Sequence, residues 1–217
     1  MTTKALSLPA GLKIDCPEKL LLRFLENEWE IYDGQPNAQD STLSLFDILV
    51  SVSMNSRIDT ADKVRSIWDG RHGVQKALTA IPVDARLTDQ TPPWEELANL
   101  FEVFCHIPYA KEAVSTKILH RKRPSLIPIV DSVIGMYLNK VRGAEPVGKC
   151  LGDRLADQVR VFRSVLVECL PSVSELSSAA SQAGYPITCV RTLEILIWAS
   201  CEPNKYYRKS VEGETNA

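Results

Sequence analysis

The sequence predicts an all-α protein of about nine or ten helices. Apolar residues recur at three- and four-residue spacing through most of the 217 residues. No sustained period-two alternation and no Asn-Gly turn argues for strands. No internal repeat marks a solenoid. None of the expected helices is long enough for a simple four-helix bundle.

Composition narrows the class. With 45% hydrophobic and 24% charged residues, the chain is globular rather than disordered, low-complexity or collagen-like. No apolar run approaches the roughly 18 residues of a membrane span. The start MTTKALSLPAGLKIDC lacks a basic region followed by a long apolar one, and no lipidation box ends the chain. A soluble, cytoplasmic protein is expected, with no membrane partner.

The helices follow in order. Asp15-Cys16-Pro17-Glu18 is a start signal. It precedes a stripe of Leu20, Leu21, Phe24 and Leu25. The run IYDGQPNAQD breaks the pattern. Asp40 or Ser41 is placed to cap the next helix, with Leu43, Phe46, Ile48, Leu49 and Val52 inward. Thr60 starts a third, and Gly70 and Gly73 are expected to separate it from a short helix at Val74–Ile81. Pro92-Pro93 introduces a helix with Trp94, Leu97, Phe101 and Phe104. Helical spacing resumes over Lys111–His120, stops at Arg123-Pro124, and resumes over Ile129–Val141. Asp153–Leu170 is amphipathic. Ser172 or Ser174 is expected to cap a weaker helix ending near Gly184, and Thr188 the last. Residues 1–203 are expected to form one helical domain, divisible into two lobes around a cleft. Residues 204–217 read as a polar, frayed tail.

Charge is unevenly spread. Lys111–Arg142 holds seven cations against Glu112 and Asp131, a local +5 in a chain of net charge -2. Such a block has the form of a polyanion site, with Lys111, Lys117, His120, Arg121, Lys122 and Arg123 as candidate phosphate-binding residues, which the resemblance below makes candidates for DNA binding. The bland alternative is a solvated helix end whose cations complement the helix dipole. Inside this block, Pro124 and Pro128 bracket a rigid segment that delivers Asp131 to a helix start, where the dipole favours negative charge.

The six cysteines are widely spread and none stands in C-x-x-C spacing. His72, His106 and His120 are scattered, and no H-E-x-x-H occurs, so no metal is expected. The absence of G-x-G-x-x-G and P-loop motifs argues against nucleotide cofactors, and no cofactor is expected. The absence of G-x-S-x-G sets aside an α/β-hydrolase.

The element Lys122-Arg123-Pro124-Ser125-Leu126-Ile127-Pro128-Ile129-Val130-Asp131-Ser132 resembles a K-R-P-x-L-x-P-x-x-D-S run found in a little-characterised bacterial family of small all-helical proteins. More remotely, it resembles the helix-hairpin-helix superfamily of DNA base-excision glycosylases. There an L-P-G-x-G hairpin opens a helix, and an apolar-P-x-x-D element follows with the catalytic aspartate. Ile107-Pro108 falls at the hairpin start and Asp131 lies 23 residues after Pro108.

The resemblance implies a glycosylase-like fold, DNA as partner (double-stranded or a displaced single strand) and Asp131 as the catalytic group. Tyr109 and Lys111 stand where the hairpin glycines would be. Ala113 stands where strand-cleaving relatives carry a lysine nucleophile, with Lys117 one turn further on as a weaker candidate. Hydrolysis of a damaged or modified base, phage-type bases included, without lyase activity is therefore implied. Trp94, Phe104, His106, Tyr109 and Tyr137 are candidates for the base pocket. The alternative is a non-catalytic helical module that binds nucleic acid or a partner through the same basic surface, Asp131 serving only as a cap.

Overall fold

The computed structural model describes residues 5–37, 39–54 and 56–201. The expected tail at 204–217 lies outside them. Among the described residues the chain forms eight α-helices: α1 (Pro17–Glu28), α2 (Leu45–Ser53), α3 (Ala61–Leu78), α4 (Trp94–Cys105), α5 (Glu112–Lys122), α6 (Ser132–Arg142), α7 (Leu151–Gln182) and α8 (Cys189–Ser200).

Two mergers lower the count from the nine or ten expected. α3 runs through Gly70 and Gly73. Gly70 is small because Ile107 packs there: a Cβ would come within 2.6 Å of the Ile107 Cδ1. α7 runs through Pro171, where a separate helix capped by Ser172 or Ser174 was expected. The proline is exposed and strips a hydrogen bond from Val167, itself 46% exposed, so that carbonyl can turn to water. The buried stripe of Leu166, Cys169, Val173 and Leu176 continues across it.

A small hairpin was also not expected. β1 (Leu6–Leu8) and β2 (Leu12–Ile14) pair antiparallel, with Leu6 opposite Ile14. Three-residue strands are too short for alternation to register in the sequence.

α7 is the spine. α4 lies along it so closely that a Cβ on Gly152 would overlap the Ala98 carbonyl. α1 and α8 pack on each other and on α7, α3 packs on α4, and α2 packs on α5. One continuous apolar core runs through all of them.

α2 follows the sequence expectation in part: Leu43 and Ile48 are core and Val52 packs against it, while Phe46 and Leu49 face outward. Its cap is Ser44, in a capping box with Asp47, rather than Asp40 or Ser41. Asp47 is buried, while Phe46 and Leu49 are 44% and 49% exposed. Asp47 is drawn inward because its partners, Arg121 and Lys122, lie inside on α5.

Candidate active site

The chain between α5 and α6 is a turn over 123–126 followed by a stretch without regular structure, so its backbone N–H groups need partners of their own. Thr116 Oγ1 accepts from Val130 N at 3.0 Å, and Glu194 Oε2 accepts from Ile129 N at 3.2 Å. Leu126 and Ile127 N–H groups return to the Arg123 carbonyl at 3.0 and 2.9 Å. The segment so held ends at Asp131, the N-cap of α6. Asp131 Oδ1 accepts from Val133 N and Ile134 N at 2.9 and 3.0 Å. Its Oδ2 accepts from Trp198 Nε1 at 3.1 Å. Both carboxylate oxygens are therefore oriented by N–H donors.

Asp131 is partly buried and lines a cavity of about 670 Å³. One wall comes from Phe24 and Tyr32, another from Met54, Ser56 and Arg57, and others from α5, α6 and α8. Lys117 projects into it from α5. Its Nζ donates to the Met54 carbonyl at 2.6 Å. Desolvation pulls the Lys117 ammonium below its ordinary value, against the opposing pull of Asp131. Arg191 and Glu194 on α8 also line the cavity and pair with each other; Arg191 Nε meets Asp33 Oδ1 at 2.8 Å. Burial pushes the Glu194 carboxyl up, with Arg191 pulling it down and Asp33 pushing up again.

The mouth is cationic and strained. Arg57 and Lys111 are exposed there, and Lys63 stands beside them in an ion pair with Asp59. Arg57 has φ 57° and Tyr109 has φ 71°, two of the three non-glycine residues with positive φ among those described. Such backbone strain gathers at functional sites. Tyr109 stands at the first hairpin-glycine position of the resemblance and adopts the left-handed conformation a glycine would favour there. The Ala110 N–H closes the turn onto the Ile107 carbonyl at 3.0 Å, so α4, a tight hairpin and α5 follow in succession.

Of the sequence-selected residues, the cavity gathers Asp131, Lys117, Lys111 and Tyr109. The other four candidate DNA-binding residues are not at the surface. His120, Arg121, Lys122 and Arg123 are each 3% exposed or less. Arg121 bonds Asp47 and the Pro36 carbonyl, and Lys122 reaches Asp47 at 2.8 Å. Arg123 donates to the Asp40, Lys122, Leu78 and Ile81 carbonyls and to Ser41 Oγ. His120 Nδ1 donates to the Ile127 carbonyl at 2.6 Å, and burial pulls its pKa down to about 4. These four side chains are spent on internal partners and do not present a phosphate-binding surface.

The aromatic candidates also divide. Trp94 lies under Arg160, whose guanidinium carbon is 4.9 Å from the ring centroid. His106 turns back to the Glu102 carbonyl at 2.8 Å. Tyr137 donates to the Pro9 carbonyl at 3.2 Å, and Phe104 is core. None of these four lines the cavity.

Sequence reading missed Trp198, the Arg191–Glu194–Asp33 cluster and Ser56. α8 did carry a signal. Arg191 and Glu194 interrupt a helix that is buried almost all round, and charges in such a setting are almost always paired for a reason. Nothing local to Ser56 marked it.

A helical protein with an oriented aspartate in a cation-mouthed cavity is the class these observations define. Residues 22–201 match DUF6308, a family of unknown function, and the chain belongs to that family. No curated protein and no solved structure matches it. Among the described residues no helix is long and apolar enough to cross a membrane.

Proposed function

We propose that this chain hydrolyses the N-glycosidic bond of a damaged or modified base in DNA and leaves the strand uncut. The observation that carries the reading is Asp131. Three N–H donors orient its two oxygens while it lines a cavity large enough for an extruded base.

As the C1′–N bond lengthens, positive charge develops on the sugar. A fixed carboxylate beside that carbon stabilises it without reorganising. The same carboxylate orients the water that adds to C1′ and takes its proton, while the base leaves with the bonding electron pair. In this reading Arg57 and Lys111, both exposed at the cavity, meet the flanking phosphates; of the six residues expected in that role, Lys111 is the one it keeps. Ala113 lines the cavity where a nucleophilic lysine is expected in strand-cleaving relatives, which supports hydrolysis alone. Lys117, one turn on, has its amine engaged by Met54.

The test is abasic-site formation on oligonucleotides carrying damaged and modified bases, read by alkaline cleavage. Asp131→Asn should lower base release about 10³-fold, within the usual range for a positioned acid–base group. Unchanged release by the variant removes Asp131 from the chemistry. No release from any substrate by the wild type overturns the reading.

A further inference from the structure

Building on that reading, we infer that the run Lys205-Tyr206-Tyr207-Arg208-Lys209 is the chain's main grip on DNA, meeting the phosphates and bases that flank the nucleotide in the cavity. The run lies outside the described residues; its composition and its point of attachment point to this role. Three cations and two aromatic rings stand in five consecutive residues with no acid among them. Glu202 precedes them, and Glu212 and Glu214 follow at a distance, so the charges are sorted rather than mixed. Such a run suits a nucleic-acid strand, because cations meet phosphates and tyrosine rings stack on bases of any identity.

Attachment brings the run to the site. α8 forms one wall of the cavity and climbs it from floor to rim. Arg191, Glu194 and Ile195 line it and are 3% exposed or less, whereas Trp198, one turn on, lines it and is partly exposed. Trp198 donates to the Asp131 carboxylate, and Cys201, three residues later, closes the helix at its partly exposed end. Lys205 lies four residues beyond Cys201 and Lys209 eight, reaches of at most about 14 and 28 Å. A DNA strand rises about 3.4 Å per nucleotide, so several phosphates on either side of a sugar held at Asp131 fall within that span.

The described surface leaves the role unfilled. Among the cations that line the cavity, Arg57 and Lys111 are exposed, Lys63 is paired with Asp59, and Lys117 and Arg191 are buried. Two exposed head groups give weak, salt-sensitive binding, while extruding a base draws further on the binding energy. With a net charge of -2, the chain gains no general attraction to a polyanion. A run of cations next to the site supplies what the mouth lacks.

The experiment measures binding of the full chain to a fluorescent DNA duplex of ordinary sequence, from low to moderate salt. Lys205→Ala, Arg208→Ala and Lys209→Ala combined should weaken binding about 100-fold and reduce the slope of log affinity against log salt by about three. Tyr206→Ser combined with Tyr207→Ser should weaken binding about 10-fold with the slope unchanged, as loss of stacking does. Unfolding midpoints should match the wild type in both. A triple variant with wild-type affinity and slope overturns the inference. So does a larger loss from Arg57→Ala combined with Lys111→Ala, because the mouth is then the main grip.

Base release separates this inference from the catalytic reading. On a substrate that the wild type cleaves, the triple variant should raise KM about 100-fold, in step with its loss of binding. If the run binds DNA while the wild type releases no base from any substrate, the chemistry is wrong and the grip stands. If bases are released and the triple variant leaves KM unchanged, the chemistry stands and the grip falls. A wild type that binds no DNA at low salt overturns both.

Discussion

The two ends of α5 carry the same kind of residue and use it in opposite ways. At its start, Lys111 is exposed at the cavity beside Tyr109, while mid-helix Lys117 already spends its amine on the Met54 carbonyl. At its end, His120 and Lys122 are buried together with Arg121 and, just beyond the helix, Arg123. The first end meets a hollow; the second meets the segment 32–47, which supplies Asp47, Asp40 and a row of carbonyls. Density of positive charge along a sequence therefore says little about where that charge is spent. A cation is available to a ligand only where the fold leaves its head group without a closer oxygen.

The largest expected effect sits at the buried end. Arg123→Ala removes five hydrogen bonds at once and leaves the Ile81 carbonyl without its donor in the interior. We expect a loss of about 3 kcal/mol in urea unfolding, combining the stranded acceptor with the hole left by the stem. An effect below ~1 kcal/mol would mean that Arg123 is not the internal tie that its contacts describe. The non-catalytic alternative, in which this arginine holds phosphate, expects the reverse: weaker DNA binding with stability unchanged.

A pH effect of similar size follows from His120. Its native pKa, pulled down to about 4, lies below the ordinary value near 6.5. Between those values the unfolded chain binds the proton and the native chain does not. Stability from this group is thus complete above about pH 6.5 and declines as pH falls towards 4, by about 3 kcal/mol at most. Unfolding midpoints at pH 7 and pH 4.5 measure the decline. His120→Asn should flatten it, and an unchanged slope would place the acid sensitivity elsewhere.

These contrasts also mark what the sequence could yield. Asp131 at a helix start and the two prolines were legible because each depends on neighbours within a few residues, whereas the hairpin after Ile107 was expected only from the resemblance. The fate of the cations was not, since Arg121 meets Asp47 across 74 positions and Arg123 meets Leu78 across 45. Trp198 was missed for the same reason, lying 67 residues from the carboxylate it orients. The helical class was legible from periodicity. The helix count was not, because Gly70 and Pro171 act as breakers only where packing and solvent do not compensate them.

At the cavity end the expected effects are smaller and fall on binding. Lys111→Ala should leave the unfolding midpoint unchanged, as an exposed side chain does. If the mouth grips phosphate, it should weaken DNA binding by about 1 kcal/mol whatever the sequence and reduce the salt slope by about one. Affinity measured from low to moderate salt checks both. A stability loss equal to that of Arg123→Ala would erase the distinction between the two ends.

The smallest effect is the sharpest for the hairpin. Tyr109 is 56% exposed and holds φ 71°, so its ring has little packing to set against a strained backbone. Tyr109→Gly should raise stability by about 1 kcal/mol, because glycine takes that conformation freely. Base release should nevertheless fall several-fold, since the aromatic face at the cavity mouth is lost. Tyr109→Ala separates the two terms: it removes the ring, keeps the Cβ and the strain, and should lose activity without gaining stability. If both variants gain stability equally, the strain lies in the ring's surroundings rather than in the turn. A tyrosine kept against the preference of its own backbone is then explained by what it meets at the mouth.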